Sequence, residues 1–315
     1  MITIEQILLG DAAEQLRTLE SESVHCCVTS PPYFNLRDYE SPGQIGREST
    51  PEEYISRLVE VFRETQRVLR PDGTLWLNIW DSYASGGMKT RGRDEKLPTR
   101  IMEQQPQTPA RLKPKDLIGI PWMLAFALRD DGWYLRQDII WHKPNTMPES
   151  VRDRCTKSHE YIFLLTKSQR YYFDCDTIRE PFQTADRKGE RRSYKPGCAS
   201  SFDMGTGHHA QHGNFAGLPL NPKGRCKRDV WSVSTSCFKG AHFAVFPEKL
   251  AEPCILAGCP EGGTVLDPFA GSGTTGVVAR RFGRNFIGVE LNPEYREMAL
   301  ERIRATQPEC QQLQL

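Results

Sequence analysis

The sequence lacks several features that would have fixed its class at once. No apolar run approaches the ~18–20 residues needed to span a bilayer. The first residues lack the basic-then-apolar pattern of a signal peptide, so a cytoplasmic protein with no membrane partner is expected. No Gly-Lys-Ser/Thr follows a glycine run, which excludes a phosphate loop of the ATPase kind. No Cys-x-x-Cys occurs among the ten cysteines, and Cys26, Cys27, Cys254 and Cys259 sit inside apolar runs. Reduced, structural thiols are the expectation, with no metal. The net charge is only +1, too small to name a partner. Its distribution says more: residues 136–230 hold 17 Lys/Arg against 11 Asp/Glu, and the rest holds 24 against 29. A basic middle favours a nucleic-acid partner.

What is there is 315 residues, 38% hydrophobic, enough for one sizeable core and a smaller appended domain. The most informative stretch runs from Thr264 to Gly276. It reads as a short apolar strand ending on Asp267, a glycine turn, and a helix opening near Thr274. Gly271, Gly273 and Gly276 spell G-x-G-x-x-G, and Glu290 closes the next strand, Asn285 to Glu290, where a nucleotide ribose would be held. Glycines let the turn approach a ligand closely, and the new helix offers it free N–H groups. A nucleotide-binding half-sheet needs about a hundred residues of alternating strands and helices. Only 39 residues follow Gly276, so the rest of the sheet must come from upstream. The chain reads as circularly permuted.

Upstream, Ile4 to Leu9 ends in Gly10-Asp11, and a helix is expected from Ala12 to Leu19. Val24 to Thr29 reads as a buried strand. It stops at Ser30-Pro31-Pro32-Tyr33, because two prolines cannot continue a ladder, and Tyr33 is left at the strand's C-terminal edge. Thr50-Pro51-Glu52-Glu53 is a helix start with a capping box. Arg70 to Gly73 ends that helix, and Thr74 to Ile79 is a further strand. Residues 82–115 form a polar, proline-containing loop, read as a lid or DNA contact. Ile118 to Arg129 reads as a helix and Trp133 to Trp141 as a strand. Tyr161 to Thr166 and Tyr171 to Asp174 read as an antiparallel hairpin. Lys143, Arg152, Arg154 and Lys157 are candidates to line a DNA path. From Cys175 to about Asp229 the periodicity disappears. His208, His209 and His212 have no companion pair at ligand spacing and read as polar loop histidines.

Thr-Ser-Pro-Pro-Tyr at 29–33 with Asp-Pro-Phe-Ala-Gly-Ser-Gly-Thr at 267–274 resembles the amino-methylating DNA methyltransferases, in the order of their permuted β group. Gly10-Asp11, His242 to Pro247 and Ile287 to Glu290 are similar to that family's remaining cofactor segments, so the resemblance brackets nearly the whole chain. It implies an α/β, Rossmann-like S-adenosylmethionine methyltransferase sheet, circularly permuted, with a loop-rich target-recognition insert. The catalytic part would be 1–174, the target-recognition region 175–229 and the cofactor-binding part 230–315. The cofactor pocket would take Asp11, Thr29, Phe246, Asp267, Pro268, Phe269, Gly271, Ser272, Gly273, Thr274 and Glu290. Ser30, Pro31, Pro32 and Tyr33 would be catalytic. Lys143, Arg187, Lys188, Arg191, Arg192, Lys195, Arg225, Lys227 and Arg228 are the expected DNA contacts. The partners implied are double-stranded DNA, with room for a second copy of the chain and for a cognate restriction endonuclease.

Exocyclic amines of bases are poor nucleophiles because the nitrogen lone pair is delocalised into the ring. In the resemblance the Ser30 hydroxyl and the Pro31 carbonyl accept from the amine, and Tyr33 stacks on a base flipped from the duplex at a cost of a few kcal/mol. The family tends to carry Ser at this position in cytosine enzymes, so N4 of cytosine is favoured, with N6 of adenine the alternative. A nicotinamide-dependent Rossmann dehydrogenase would explain the glycines and Glu290 but leaves Ser-Pro-Pro-Tyr idle.

Overall fold

Short β-branched and aromatic runs alternate with capped amphipathic segments along most of the chain, and in the computed structural model they become strands and helices in that order. Residues 5–36, 43–84, 112–181, 221–237, 244–245 and 247–309 are described. The elements are β1 (Glu5–Leu9), α1 (Ala12–Arg17), β2 (Val24–Thr29), α2 (Pro51–Val68), β3 (Leu69–Ile79), α3 (Ile120–Asp130), β4 (Tyr134–His142), β5 (His159–Thr166) and β6 (Val230–Ser232). They continue with β7 (Ser236–Cys237), β8 (Ala244–Val245), α4 (Glu248–Gly258), β9 (Thr264–Asp267), α5 (Thr274–Arg281), β10 (Asn285–Glu290) and α6 (Pro293–Ala305). The chain divides into two compact units, Met1–Asp174 with Arg228–Leu315, and Cys175–Lys227.

The first unit holds an eight-stranded sheet in the order β1-β10-β9-β2-β3-β5-β4-β6. The run from β1 to β3 is parallel. β5 lies antiparallel between β3 and β4. β9, late in the sequence, therefore sits mid-sheet beside β2. Chain continuity leaves this pair in opposite directions, to β10 on one side and β3 on the other. In open α/β sheets that switch point is where ligands bind, outside the carboxyl ends of the strands.

Local chemistry accounts for the helix starts. Thr50 caps α2 by accepting from the Glu53 N–H at 3.2 Å, with Pro51 in the first turn. The apolar stripe of α2 (Tyr54, Leu58, Val61, Phe62) is buried in the core with Leu124 and Leu128 of α3 and Leu75 and Leu77 of β3. At the glycine turn, Gly273 has φ +77°, and a Cβ there would stand 2.8 Å from that of Ala299. A Cβ on Gly276 would meet Ile303 at 2.4 Å and Phe286 at 2.7 Å. Glycine at these two places lets α5 pack tightly on α6 and β10.

Two expectations need correction. The hairpin from Tyr161 to Asp174 does not form. β5 is buried along most of its length and uses both edges, on β3 and β4, so no edge is left for residues 171–174. Those residues instead bond elsewhere: Tyr172 N–H donates to Asp72 O and Asp174 N–H to Ala257 O, both at 2.9 Å. The strand read from Thr74 begins at Leu69, with an irregular register against β2 that absorbs the extra residues. Of the 82–115 loop, residues 85–111 lie outside the described residues; its ends are tied together, Ala84 N–H to Asp116 O at 2.8 Å and Lys115 N–H to Ala84 O at 2.9 Å. Cys26, Cys27, Cys254 and Cys259 are buried free thiols. No helix among the described residues is long and apolar enough to cross a membrane.

Candidate active site

The carboxyl ends of β1, β2, β9 and β10 open onto one cavity of about 270 Å³. Asp11, Ser30, Pro31, Pro32, Tyr33, Asp267, Pro268, Phe269, Gly271, Ser272, Thr274 and Glu290 all line it. Two different halves of the chain thus meet at one sheet edge.

On the glycine-turn side, Asp267 ends β9 almost wholly buried. Its Oδ1 accepts from Thr29 Oγ1 at 2.6 Å and from the Phe269 N–H at 3.0 Å, and its Oδ2 from Thr275 Oγ1 at 2.8 Å. Burial raises its pKa to about 6, and those three donors hold it from rising further. Glu290 ends β10 and accepts from the Gly271 N–H at 2.8 Å and the Asn292 N–H at 2.9 Å. Its pKa is also raised, mainly by burial and slightly by the charge of Asp267. Asp11 caps α1 through the Glu14 N–H at 3.0 Å. Among the described residues, the one cation lining the cavity, Lys143, is paired with Glu160, so these three carboxylates face it uncompensated. Thr274, at the first turn of α5, lines the same cavity and carries a buried hydroxyl with no hydrogen-bond partner among the described residues. A ligand with positive charge and polar atoms fits this lining, with Phe269, Val289, Tyr295 and Met298 as its apolar walls.

On the β2 side, the Tyr54 hydroxyl of α2 donates to Pro32 O at 2.8 Å and pins the proline turn. Ser30 Oγ donates to the Tyr33 hydroxyl at 3.2 Å, and Tyr33 donates to Glu160 Oε2 at 2.7 Å. Asn78 Nδ2 donates to the same Glu160 oxygen at 3.0 Å, and Lys143 Nζ to Glu160 Oε1. Lys143 also stands 4.3 Å over the Trp141 ring. Burial and the Glu160 charge push the Tyr33 phenol well above its ordinary value.

Residues 24–301 match the N6/N4 DNA methylase family. The chain belongs to that family. The methylase is 50% identical to the Type II methyltransferase M.SmaI of Serratia marcescens over 298 residues, 95% of this chain and 90% of the relative. TTHA0409 of Thermus thermophilus, solved in complex with S-adenosyl-L-methionine, superposes with a TM-score of 0.58 at 26% identity, covering 98% of both chains. PvuII DNA methyltransferase (cytosine-N4-specific) superposes with a TM-score of 0.62 at 20% identity, covering 95% of this chain and 87% of that one, and shows the shared fold. The sheet of the methylase is accordingly the Rossmann-like methyltransferase sheet, permuted as the order of its strands requires. The dehydrogenase alternative falls with this membership.

Several expected site residues stand outside the cavity lining. Thr29 lies beneath it and holds Asp267, and Gly273 shapes the turn. Phe246, Arg187, Lys188, Arg191, Arg192 and Lys195 lie outside the described residues, as do His208, His209 and His212. Lys143 lies in the cavity wall of the methylase, beside Glu160. Arg225 and Lys227 pair with Glu180 within the 175–227 unit, at 3.1 and 3.7 Å. The Arg228 carbonyl accepts from Trp231 Nε1 at 2.6 Å. Sequence reasoning missed Asn78, Glu160 and Trp141. A signal was present: Asn78 interrupts the apolar run 75–79 and Glu160 adjoins the run 161–165, and a buried polar group needs a partner.

Proposed function

We propose that this methylase transfers the methyl group of S-adenosylmethionine to the N4 amine of a cytosine flipped from double-stranded DNA. The observation that carries this is the shared cavity: Ser30, Pro31 and Tyr33 line it opposite Asp11, Asp267, Phe269 and Glu290. S-adenosylmethionine supplies a methyl group activated by a positive sulfur. Its two positive centres, sulfonium and ammonium, suit a lining with three uncompensated carboxylates. In this reading Asp267 meets the methionine end, Glu290 the ribose hydroxyls and Asp11 the adenine amine, while Phe269 packs on the adenine ring. Thr29 and Thr275 hold Asp267 in place, and the Thr274 hydroxyl gains the partner it lacks among the described residues.

The Ser30 hydroxyl and the Pro31 carbonyl accept the target amine's N–H bonds, which draws the nitrogen toward a tetrahedral shape. Tyr33 stacks on the flipped base, returning about 1–3 kcal/mol of the extrusion cost. The remaining work of the protein is alignment. The 175–229 region chooses the DNA sequence through Arg187, Lys188, Arg191, Arg192, Lys195, Arg225, Lys227 and Arg228, and a cognate restriction endonuclease reading the same sequence is the partner that a Type II relative suggests. The test is mass spectrometry of nucleosides from DNA incubated with the protein and isotopically labelled S-adenosylmethionine. Labelled N4-methylcytosine is expected; N6-methyladenine alone would transfer the same mechanism to the other base.

A further inference from the structure

We propose that Glu160, backed by Lys143, is a positioning residue for methyl transfer: it sets the direction of a proton chain ending at Ser30 and makes the Ser30 hydroxyl an obligate acceptor toward the target amine. The inference rests on the function proposed above and deepens it. Glu160 comes from β5, Asn78 from β3 and Lys143 from the residue after β4, so three strands converge behind the proline turn that follows β2.

The direction follows from counting protons. An ionised carboxylate only accepts. Among the described residues the single Tyr33 phenol proton has two acceptors in reach, Glu160 Oε2 at 2.7 Å and Asn78 Oδ1 at 3.1 Å. The charged, closer one takes it. Asn78 cannot reverse this, because its NH2 group is fixed by Glu160 Oε2 and by Tyr161 O at 3.1 Å, which leaves its oxygen facing Tyr33. Whichever acceptor holds the phenol proton, it points away from Ser30. The Tyr33 oxygen can then only accept, and Ser30 Oγ donates to it. With that proton engaged, Ser30 turns lone pairs alone toward the cavity. A serine free to rotate would present its proton to the amine as readily as a lone pair.

The environment fits this task better than a purely structural one. Glu160 is 5% exposed, and a buried ion pair adds little to stability compared with well-packed apolar residues. Among the described residues, every hydrogen bond of the Glu160 carboxylate leads to Tyr33, to Asn78 beside it, or to the lysine that balances its charge. The raised pKa of Tyr33 keeps the phenol protonated, so the chain of donors stays intact.

The decisive variant is Glu160→Gln. Lys143 can only donate, so it draws the new amide oxygen toward itself and leaves the NH2 facing Tyr33. That NH2 also meets the Asn78 NH2, which Glu160 Oε2 had accepted at 3.0 Å, so Asn78 turns over, gives its oxygen to the Gln and its NH2 to Tyr33, and leaves Ser30 as the acceptor for the phenol proton. The chain then runs backwards, and the Ser30 proton points at the amine. Single-turnover transfer of labelled methyl to DNA should fall on the order of 10²-fold, while the Kd values for S-adenosylmethionine and for DNA stay unchanged. In a Ser30→Ala background, the same substitution should cost nothing further. Equal losses with and without Ser30, or no loss with Ser30 present, would overturn the inference. If Glu160→Gln shows no cooperative melting, Tyr33→Phe carries the same cycle, since it cuts the chain between Glu160 and Ser30 and keeps the ring. A wild-type chain that moves no label to DNA would overturn the proposed function and this inference together. A wild-type chain that does, with additive losses in the cycle, would overturn the inference alone.

Discussion

Asp267 should make cofactor binding depend on pH in a way that can be computed in advance. Its carboxyl is buried, which raises its pKa to about 6. A cationic ligand end binds the carboxylate, not the acid, so affinity is full above that pKa and is lost as pH falls through it. For one such group the apparent Kd grows about tenfold per pH unit below 6, near 1.4 kcal/mol each, so pH 5 should bind roughly ten times more weakly than pH 7. The ligand's own α-amino group, with an ordinary pKa of about 7.7–8.0, stays charged across that window. Calorimetric titration of S-adenosylmethionine at pH 5, 6 and 7 measures the slope directly. The control is Asp267→Asn, which the site can accommodate: the new NH2 can donate to Thr275 Oγ1, which has Val28 O at 3.3 Å for its own proton. That variant should bind weakly and lose most of the slope, with the remainder assigned to Glu290. The sign reverses for the empty protein. A carboxyl raised from 3.8 to about 6 favours folding most at low pH and loses that contribution as pH rises toward 6. Asp267→Asn should therefore be more stable than wild type at pH 8, by an upper bound of about 3 kcal/mol, and the gap should narrow to about half of that by pH 5 and close below the ordinary carboxylate pKa of 3.8. A flat affinity between pH 5 and 7, or an undiminished slope in the variant, refutes the assignment.

Three further outcomes are expected. Glu290→Ala should weaken S-adenosylmethionine binding and also strand the Gly271 and Asn292 N–H groups, costing about 1–3 kcal/mol in denaturant melts; unchanged calorimetric affinity would remove Glu290 from the pocket. Gly273→Ala combines positive φ with a clash against Ala299 and should destabilise the fold by about 1–3 kcal/mol, read as a lowered melting temperature; a variant as stable as wild type would deny the tight α5–α6 contact. Replacing Arg191 and Arg192 together by Gln should weaken DNA binding and shallow its salt slope by about 2, with cofactor affinity untouched; an unchanged slope would clear both residues of phosphate contact.

Where the chemistry is local, the sequence was legible. Thr50-Pro51 announces α2 because cap and first turn are adjacent residues. Ser30 to Tyr33 ends β2 because proline cannot continue a ladder. Gly273 and Gly276 mark the tight turn into α5. The parts that escaped depend on which segments meet. β5 reads as half of a local hairpin until β3 and β4 claim both its edges. The helix Glu248–Gly258 carries Pro253 inside it, a signal that argues against the element that forms. Asn78 and Glu160 stand 82 positions apart with Lys143 between them, and each taken alone has a bland explanation. Their meaning lies in convergence, which spacing along the chain does not encode.

The mid-sheet position of β9 bears on when a newly made chain becomes an enzyme. The hydrogen bond from Thr29 to Asp267 joins residues 238 positions apart, and the ladder partners of β9 and β10 were translated long before them. At about 5–20 residues per second, roughly 10–50 s separate the emergence of Thr29 from that of Glu290. Throughout that interval β2 stands with one edge unpaired, an invitation to wrong pairing that a sheet built in simple chain order would shorten. Methylating activity must therefore switch on late and all at once, when the final strands drop into the gap. A nascent chain stalled before Thr264 has Ser30 and its proline turn but no floor to its pocket.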